Sequence, residues 1–200
     1  GYGDTGLEPY PENLAGTRHA PDFKPLYKAL ATQSAAALRF VRRQPHVRAS
    51  QILLTGQSMG GVAVTAHLGQ GAKGVVGGIN FAGALAYNRS VHTPQGCCID
   101  DFRAAMRRFG GRATAPMLWV FGRGDTFVPS MDEVQHRFDI FRKAHLDSAA
   151  DARSRLHVVS QQTDLDGHFI IAKPQTWQAA VDRFTASVGL RRSTIAIAAR

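Results

Sequence analysis

The chain has 200 residues, 44% hydrophobic and 20% charged, which suits one globular domain with a sizeable core. No apolar run approaches the roughly 20 residues that a membrane-spanning helix needs. The formal charge of +9 raises an anionic partner such as nucleic acid, but Lys and Arg are scattered, in pairs such as Arg42-Arg43 and Arg107-Arg108 with no interleaved aromatics, so nucleic acid is not the expected partner.

In chain order, residues 1–21 are Gly- and Pro-rich and read as loop. Asp22 is placed to cap a helix running to about Arg43, with Leu26, Leu30, Ala37 and Val41 on one face. Pro45 ends it. Residues 51–55 form a short continuous apolar run, a strand of the kind buried on both faces. A helix over 59–68 follows, then a strand over 75–81 and an irregular stretch over 82–98. The next helix, 100–109, stops at Gly110-Gly111, and 116–122 is another buried strand. Met131, Val134, Phe138 and Phe141 mark a helix over 130–146, and 155–159 is a fourth strand. Trp177, Val181, Phe184 and Val188 mark a last helix closed by Gly189. Residues 1–190 read as one domain and 191–200 as a basic tail. The alternation of strand and helix predicts an α/β fold, a mostly parallel sheet flanked by helices. Such sheets bind ligands beyond the carboxyl ends of their strands.

Three polar residues fall at those ends. Ser58 lies in "TGQSMGG" after the first apolar strand, Asp125 in "FGRGDTFVP" after the third, and His168 in "DLDGHF" after the fourth. A serine hydroxyl is a poor nucleophile at neutral pH and needs a base within hydrogen-bond reach. Imidazole can take that proton and return it to a leaving group. A carboxylate behind the imidazole fixes its tautomer and stabilises its cation. The glycines around Ser58 suit a crowded, strained strand-to-helix turn. The helix that opens there aims the backbone N–H of Met59 at the place where an oxyanion would develop. Ser58, Asp125 and His168 are therefore the expected catalytic residues and Met59 the expected oxyanion donor.

Each residue has a plainer alternative. A G-x-S-x-G run arises often by chance, and an Asp in "GD" commonly only forms a turn. Asp164 and Asp166 compete as the acid but read better as turn residues. His67 on a helix and His157 inside a strand read as structural. "GQGAKG" at 69–74 matches G-x-G-x-x-G, yet it follows a helix and precedes a strand, the reverse of a dinucleotide site. No H-E-x-x-H and no ligand spacing points to a metal, and no cofactor is expected. Cys97 and Cys98 are adjacent, and bonding to each other would close a strained ring. Pairing of one with a cysteine outside the chain and two free thiols both stay open, and the compartment with them.

The segments "GQSMGG", "FGRGDTFVP" and "DGHF" resemble, in this order, the nucleophile, acid and histidine segments of the α/β-hydrolase family. "INFAGA", "PMLWVFGRGDTFVP" and "DGHFI" resemble its esterase-like branch related to dienelactone hydrolase, whose founding enzyme uses cysteine where this chain has Ser58. "GYGDTG" is similar to the family's loop after the strand that precedes the nucleophile strand. The resemblance implies that the first half of the family sheet, with a second oxyanion donor, lies upstream of Gly1, or else that the sheet is reduced and its nucleophile strand an open edge. It also implies a small ester or acyl substrate. Tyr2 and Gln57 are the expected substrate-binding residues, Tyr2 because the family's loops at that place flank the nucleophile, and the stretch 82–98 is expected to line the same pocket. The expected reaction is ester or acyl-bond hydrolysis through an acyl-enzyme. Acyl transfer or peptide cleavage on the same scaffold, and a non-catalytic binding domain, are the rival functions.

Overall fold

The computed structural model describes residues 15–17, 20–71, 73–84, 99–145, 148–160 and 164–190. Tyr2, Cys97, Cys98, the tail 191–200 and all but the first three residues of 82–98 lie outside these.

Four strands make the central sheet: Ile52–Gln57 (β3), Val75–Phe81 (β4), Met117–Gly122 (β5) and Arg155–Val159 (β6). They lie side by side in chain order and every pair is parallel. Their carboxyl ends are level, with Gln57 beside Phe81, Phe81 beside Val120 and Gly122 beside Val159. The connections are α2 (Met59–Leu68), α3 (Ile99–Gly110), and α4 (Met131–Ala144) with the short α5 (Ser148–Arg153). Because the strand order steps one way, right-handed crossovers put successive connecting helices on the same face. Val62 and Leu68 of α2, Phe102 and Phe109 of α3, and Phe138 and Phe141 of α4 share one apolar cluster with Met117, Trp119 and Phe121 of β5. The alternate residues Leu118 and Val120 face the other way and meet Phe184 of α6 (Pro174–Ser187). β5 is thus buried on both faces, as an interior parallel strand should be.

Several expectations needed correction. Residues 15–17 (β1) and Ala20–Asp22 (β2) pair antiparallel instead of forming loop. Asp22 ends β2, and the N-cap of α1 (Lys24–Arg42) is Phe23, which makes no side-chain cap; Pro25 starts the helix instead. The buried stripe of α1 is Leu26, Tyr27, Leu30, Ala31 and Leu38. Ala37 and Val41 are exposed, because the helix is turned so that Tyr27 meets Phe109 edge-on, with ring centroids 5.4 Å apart. β3 is not buried on both faces: only Ile52 is buried and Thr55 is exposed. Among the described residues it pairs on one side only, with β4.

Between α3 and α4, Glu133 gathers two arginines. Its Oε1 accepts from Arg137 Nε at 2.7 Å and its Oε2 from Arg103 Nη2 at 2.5 Å. Burial pushes the Glu133 carboxyl up, but these guanidinium groups outweigh it and hold the carboxyl below its ordinary value. Arg137 also lies over the Phe102 ring, 4.4 Å from its centroid. No described helix is long and apolar enough to cross a membrane.

Candidate active site

The turn from β3 into α2 is strained at Ser58, whose φ is 54° and ψ −123°. Such a conformation costs a residue with a side chain on the order of 1–3 kcal/mol. The surroundings impose it: Ser58 N–H donates to the Phe81 carbonyl at 2.9 Å, and the Ser58 carbonyl accepts from Val62 N–H at 3.2 Å. Gly56 makes the turn sterically feasible, since a Cβ there would sit 2.3 Å from the Gly60 carbonyl oxygen. Gly60 itself is not crowded, as a Cβ on it would meet nothing within 4 Å. The expectation that the glycines around Ser58 answer to crowding therefore holds at Gly56 and at Gly61, where a Cβ would lie 2.1 Å from Asn80 Oδ1, and fails at Gly60.

The other two residues arrive from neighbouring strand ends. Asp125 follows β5, and its Oδ1 accepts from Phe127 N–H at 2.8 Å, an Asx turn that fixes the carboxylate. His168 follows β6, in the 3₁₀ turn Gly167–Ala172. Its Nε2 is 2.9 Å from Ser58 Oγ, and its Nδ1 is 3.2 Å from Asp125 Oδ1 and 3.3 Å from Oδ2. An ionised carboxylate only accepts hydrogen bonds, so the ring proton belongs on Nδ1 and Nε2 is left to accept from the serine hydroxyl. His168 and Asp125 are buried, with 3% and 6% of their surface exposed, while Ser58 is half-buried. The contact between His168 and Asp125 is therefore shielded from water, while Ser58 keeps part of its surface exposed. Phe127 stacks on the imidazole at a centroid distance of 4.1 Å, and Phe169 meets it edge-on at 5.6 Å.

The structure thus brings Ser58, His168 and Asp125 together in one hydrogen-bonded line. Met59 is the first residue of α2, where a helix leaves its N–H groups without internal partners, and it adjoins Ser58. Asp164 and Asp166 do not face the imidazole Nδ1. Asp164 pairs with Lys173 Nζ at 2.6 Å, and Asp166 accepts from Thr126. Gln57, expected to bind substrate, donates its Nε2 to the His168 carbonyl at 3.0 Å, and that amide braces the site. His67 and His157 bond backbone carbonyls, of Ala31 and Thr176 respectively. Sequence reasoning missed Phe127 and Thr126. The only local signal for them was their place in "GDTF", directly after Asp125. No group of three or more His, Cys, Asp or Glu among the described residues is arranged to hold a metal ion.

No family model and no curated protein matches the sequence. Solved structures do match by shape. Two crystal forms of an esterase from Pyrococcus furiosus superpose with TM-scores of 0.53 and 0.55 at 17% and 16% identity, each over 78% of this chain and 60% of theirs. A dienelactone hydrolase from Klebsiella pneumoniae superposes with a TM-score of 0.54 at 15% identity, over 82% of this chain and 62% of its own. The chain therefore spans about 60% of the length of the structures it matches. The four parallel strands, the helices on both faces and these superpositions identify the architecture as that of the α/β-hydrolase fold, present here in part.

Proposed function

We propose that the chain is a serine hydrolase that cleaves a carboxylic ester or a related acyl bond. The observation that carries this reading is the line of contacts from Ser58 Oγ to His168 Nε2 at 2.9 Å and from His168 Nδ1 to the Asp125 carboxylate at 3.2 Å. An esterase and a dienelactone hydrolase among the similar structures support the substrate class.

As the Ser58 oxygen bonds to the acyl carbon, its proton moves to His168 Nε2. Asp125 stabilises the imidazolium and keeps its second proton on Nδ1. The Met59 N–H donates to the developing oxyanion, on the side where the dipole of α2 also favours negative charge. Collapse of the tetrahedral intermediate expels the alcohol, which takes the proton from His168 Nε2 and leaves the acyl group on Ser58. A water molecule, deprotonated by the same nitrogen, then attacks the acyl-enzyme; collapse of the second intermediate releases the acid, and the Ser58 oxygen takes the proton back from His168 Nε2. The sharp strand-to-helix turn at Ser58 is of the kind that presents a nucleophile's hydroxyl at the strand end to an incoming carbonyl.

The test is Ser58→Ala, assayed with a p-nitrophenyl ester and checked for folding by circular dichroism. Turnover is expected to vanish with the spectrum unchanged. Undiminished turnover would refute the nucleophile assignment, and the rival of a non-catalytic binding domain would follow from a wild-type chain that neither turns over esters nor reacts with a fluorophosphonate.

A further inference from the structure

We propose that Asp166 is a positioning residue, which locks the loop carrying Asp125 to the turn carrying His168. This rests on the hydrolase reading above for its catalytic meaning, but not for its geometry. The half-buried Asp166 carboxylate accepts three hydrogen bonds. Oδ1 takes the Thr126 N–H at 3.2 Å and the His168 N–H at 2.8 Å, and Oδ2 takes the Thr126 hydroxyl at 2.6 Å. Thr126 directly follows the acid, and His168 is the base itself. One carboxylate thus holds the main chain of both partners, which lie 43 residues apart in the sequence.

Three further observations point the same way. The interlock is tight: a Cβ on Gly167, between Asp166 and His168, would lie 2.4 Å from the Gly122 carbonyl oxygen and 2.6 Å from the Asp125 nitrogen. Glycine is the residue that lets the two loops touch. The peptide group on the other side of the His168 Cα is held as well, because Gln57 donates to the His168 carbonyl at 3.0 Å. The backbone at His168 is therefore gripped at its N–H by Asp166 and at its C=O by the residue preceding Ser58. Finally, burial pushes the Asp166 carboxyl up, but the hydrogen bonds from Thr126 and from the His168 N–H outweigh this and hold it below its ordinary value. Asp166 is thus an acceptor near neutral pH, as the lock requires.

Positioning through hydrogen bonds makes a distinctive prediction. Asparagine preserves the lock, because its Oδ1 can accept both N–H groups while its Nδ2 donates to the Thr126 oxygen. Alanine abolishes it. Asp166→Ala is expected to lower kcat on a p-nitrophenyl ester about 100-fold with KM little changed, the cost of an imidazole misplaced by a fraction of an ångström to an ångström. Asp166→Asn is expected to stay within about 3-fold of wild type, since its three hydrogen bonds are conserved. The structural readout is the 15N resonance of His168 Nδ1 in the full chain, measured without substrate. It should move and broaden in Asp166→Ala and hold its place in Asp166→Asn. Should Asp166→Ala fail to fold, Thr126→Val removes one of the three bonds and should shift the resonance in the same direction by less.

The outcomes separate the two readings. A wild-type chain with no ester turnover sinks the hydrolase reading, and the resonance still decides the lock. An Asp166→Ala chain with unchanged kcat and unchanged resonance overturns the lock and leaves the hydrolase reading standing. Equal losses in Asp166→Asn and Asp166→Ala also overturn it, because charge and not hydrogen-bond geometry would then be the contribution.

Discussion

The amide of Gln57 donates to the carbonyl of His168 across 3.0 Å, joining positions 111 residues apart in the sequence. The residue before the hydroxyl thereby holds the backbone of the imidazole that faces it. Distance between Ser58 and His168 is thus set twice, once by the side-chain contact itself and once by this brace beneath it. A side-chain hydrogen bond alone would leave the imidazole free to swing about two torsions. The brace and the Asp166 carboxylate fix the backbone from which it swings, and Ser58, Asp125 and the stacked Phe127 hold the ring itself.

The two glycines nearest Ser58 should respond in opposite ways to alanine. At Gly56 the added methyl would meet the Gly60 carbonyl at 2.3 Å, so the first turn of α2 must move and Ser58 with it. Gly56→Ala is expected to cut ester turnover by about 100-fold or more. At Gly60 the same methyl meets nothing, and replacing a helical glycine is expected to raise stability by about 0.5–1 kcal/mol at full activity. Urea midpoints and kcat for the pair check both.

Replacing Asp125 by Asn keeps the shape of the side chain but offers His168 Nδ1 a group that can donate as well as accept. The wrong tautomer then leaves Nε2 protonated and unable to accept from Ser58. A loss in kcat on the order of 10⁴ is expected with the fold intact. Steady-state kinetics at neutral pH, beside a near-ultraviolet spectrum, provide the check.

The cluster at Glu133 is a stability element. Its side chain and that of Arg137 are 7% and 9% exposed. Removing the carboxylate by Glu133→Ala leaves Arg137 buried without its partner, at a cost of about 3–5 kcal/mol. Replacing both, with Glu133→Leu and Arg137→Met, is expected to recover most of that loss, because no buried charge remains. Denaturant midpoints of the single and double variants measure the difference.

His67 supplies a pH dependence. Burial lowers its pKa most, the nearby Arg42 lowers it further, and the carbonyl of Ala31 only partly opposes them. Its Nε2 is buried with no partner among the described residues. The folded chain thus resists a proton that the unfolded chain accepts near pH 6.5. This contribution to stability is complete above that pH and falls away as the pH drops through it toward the lower folded value. The thermal midpoint of wild type is expected to decline between pH 7.5 and 5.5, and His67→Phe should flatten that slope.

Ser58, Asp125 and His168 were readable in the sequence because each follows an apolar strand run and is punctuated by glycine. The parallel sheet was readable for the same reason. The bracing bonds were not, although Gln57 and Asp166 both stand out in the sequence for other reasons. Gln57 and Asp166 act through bonds to positions 111 and 40 residues away, and no local pattern records such a partner. The stripe on α1 was misphased because Ala37 and Val41 fit a helical repeat as well as Ala31 and Leu38 do, and only the packing of Tyr27 on Phe109 selects between them. The pair β1 and β2 is three residues per strand, too short for alternation to register.

The hydroxyl and the imidazole that faces it stand 110 residues apart. On the ribosome the serine is therefore made long before its base, and during that interval it is chemically idle. A nascent chain that ends after β4 has Ser58 but neither Asp125 nor His168. On the proposed mechanism, Ser58 gains its reactivity only once the turn after β6 has brought His168 to it, so the order of synthesis keeps that chemistry off until the sheet is complete to β6.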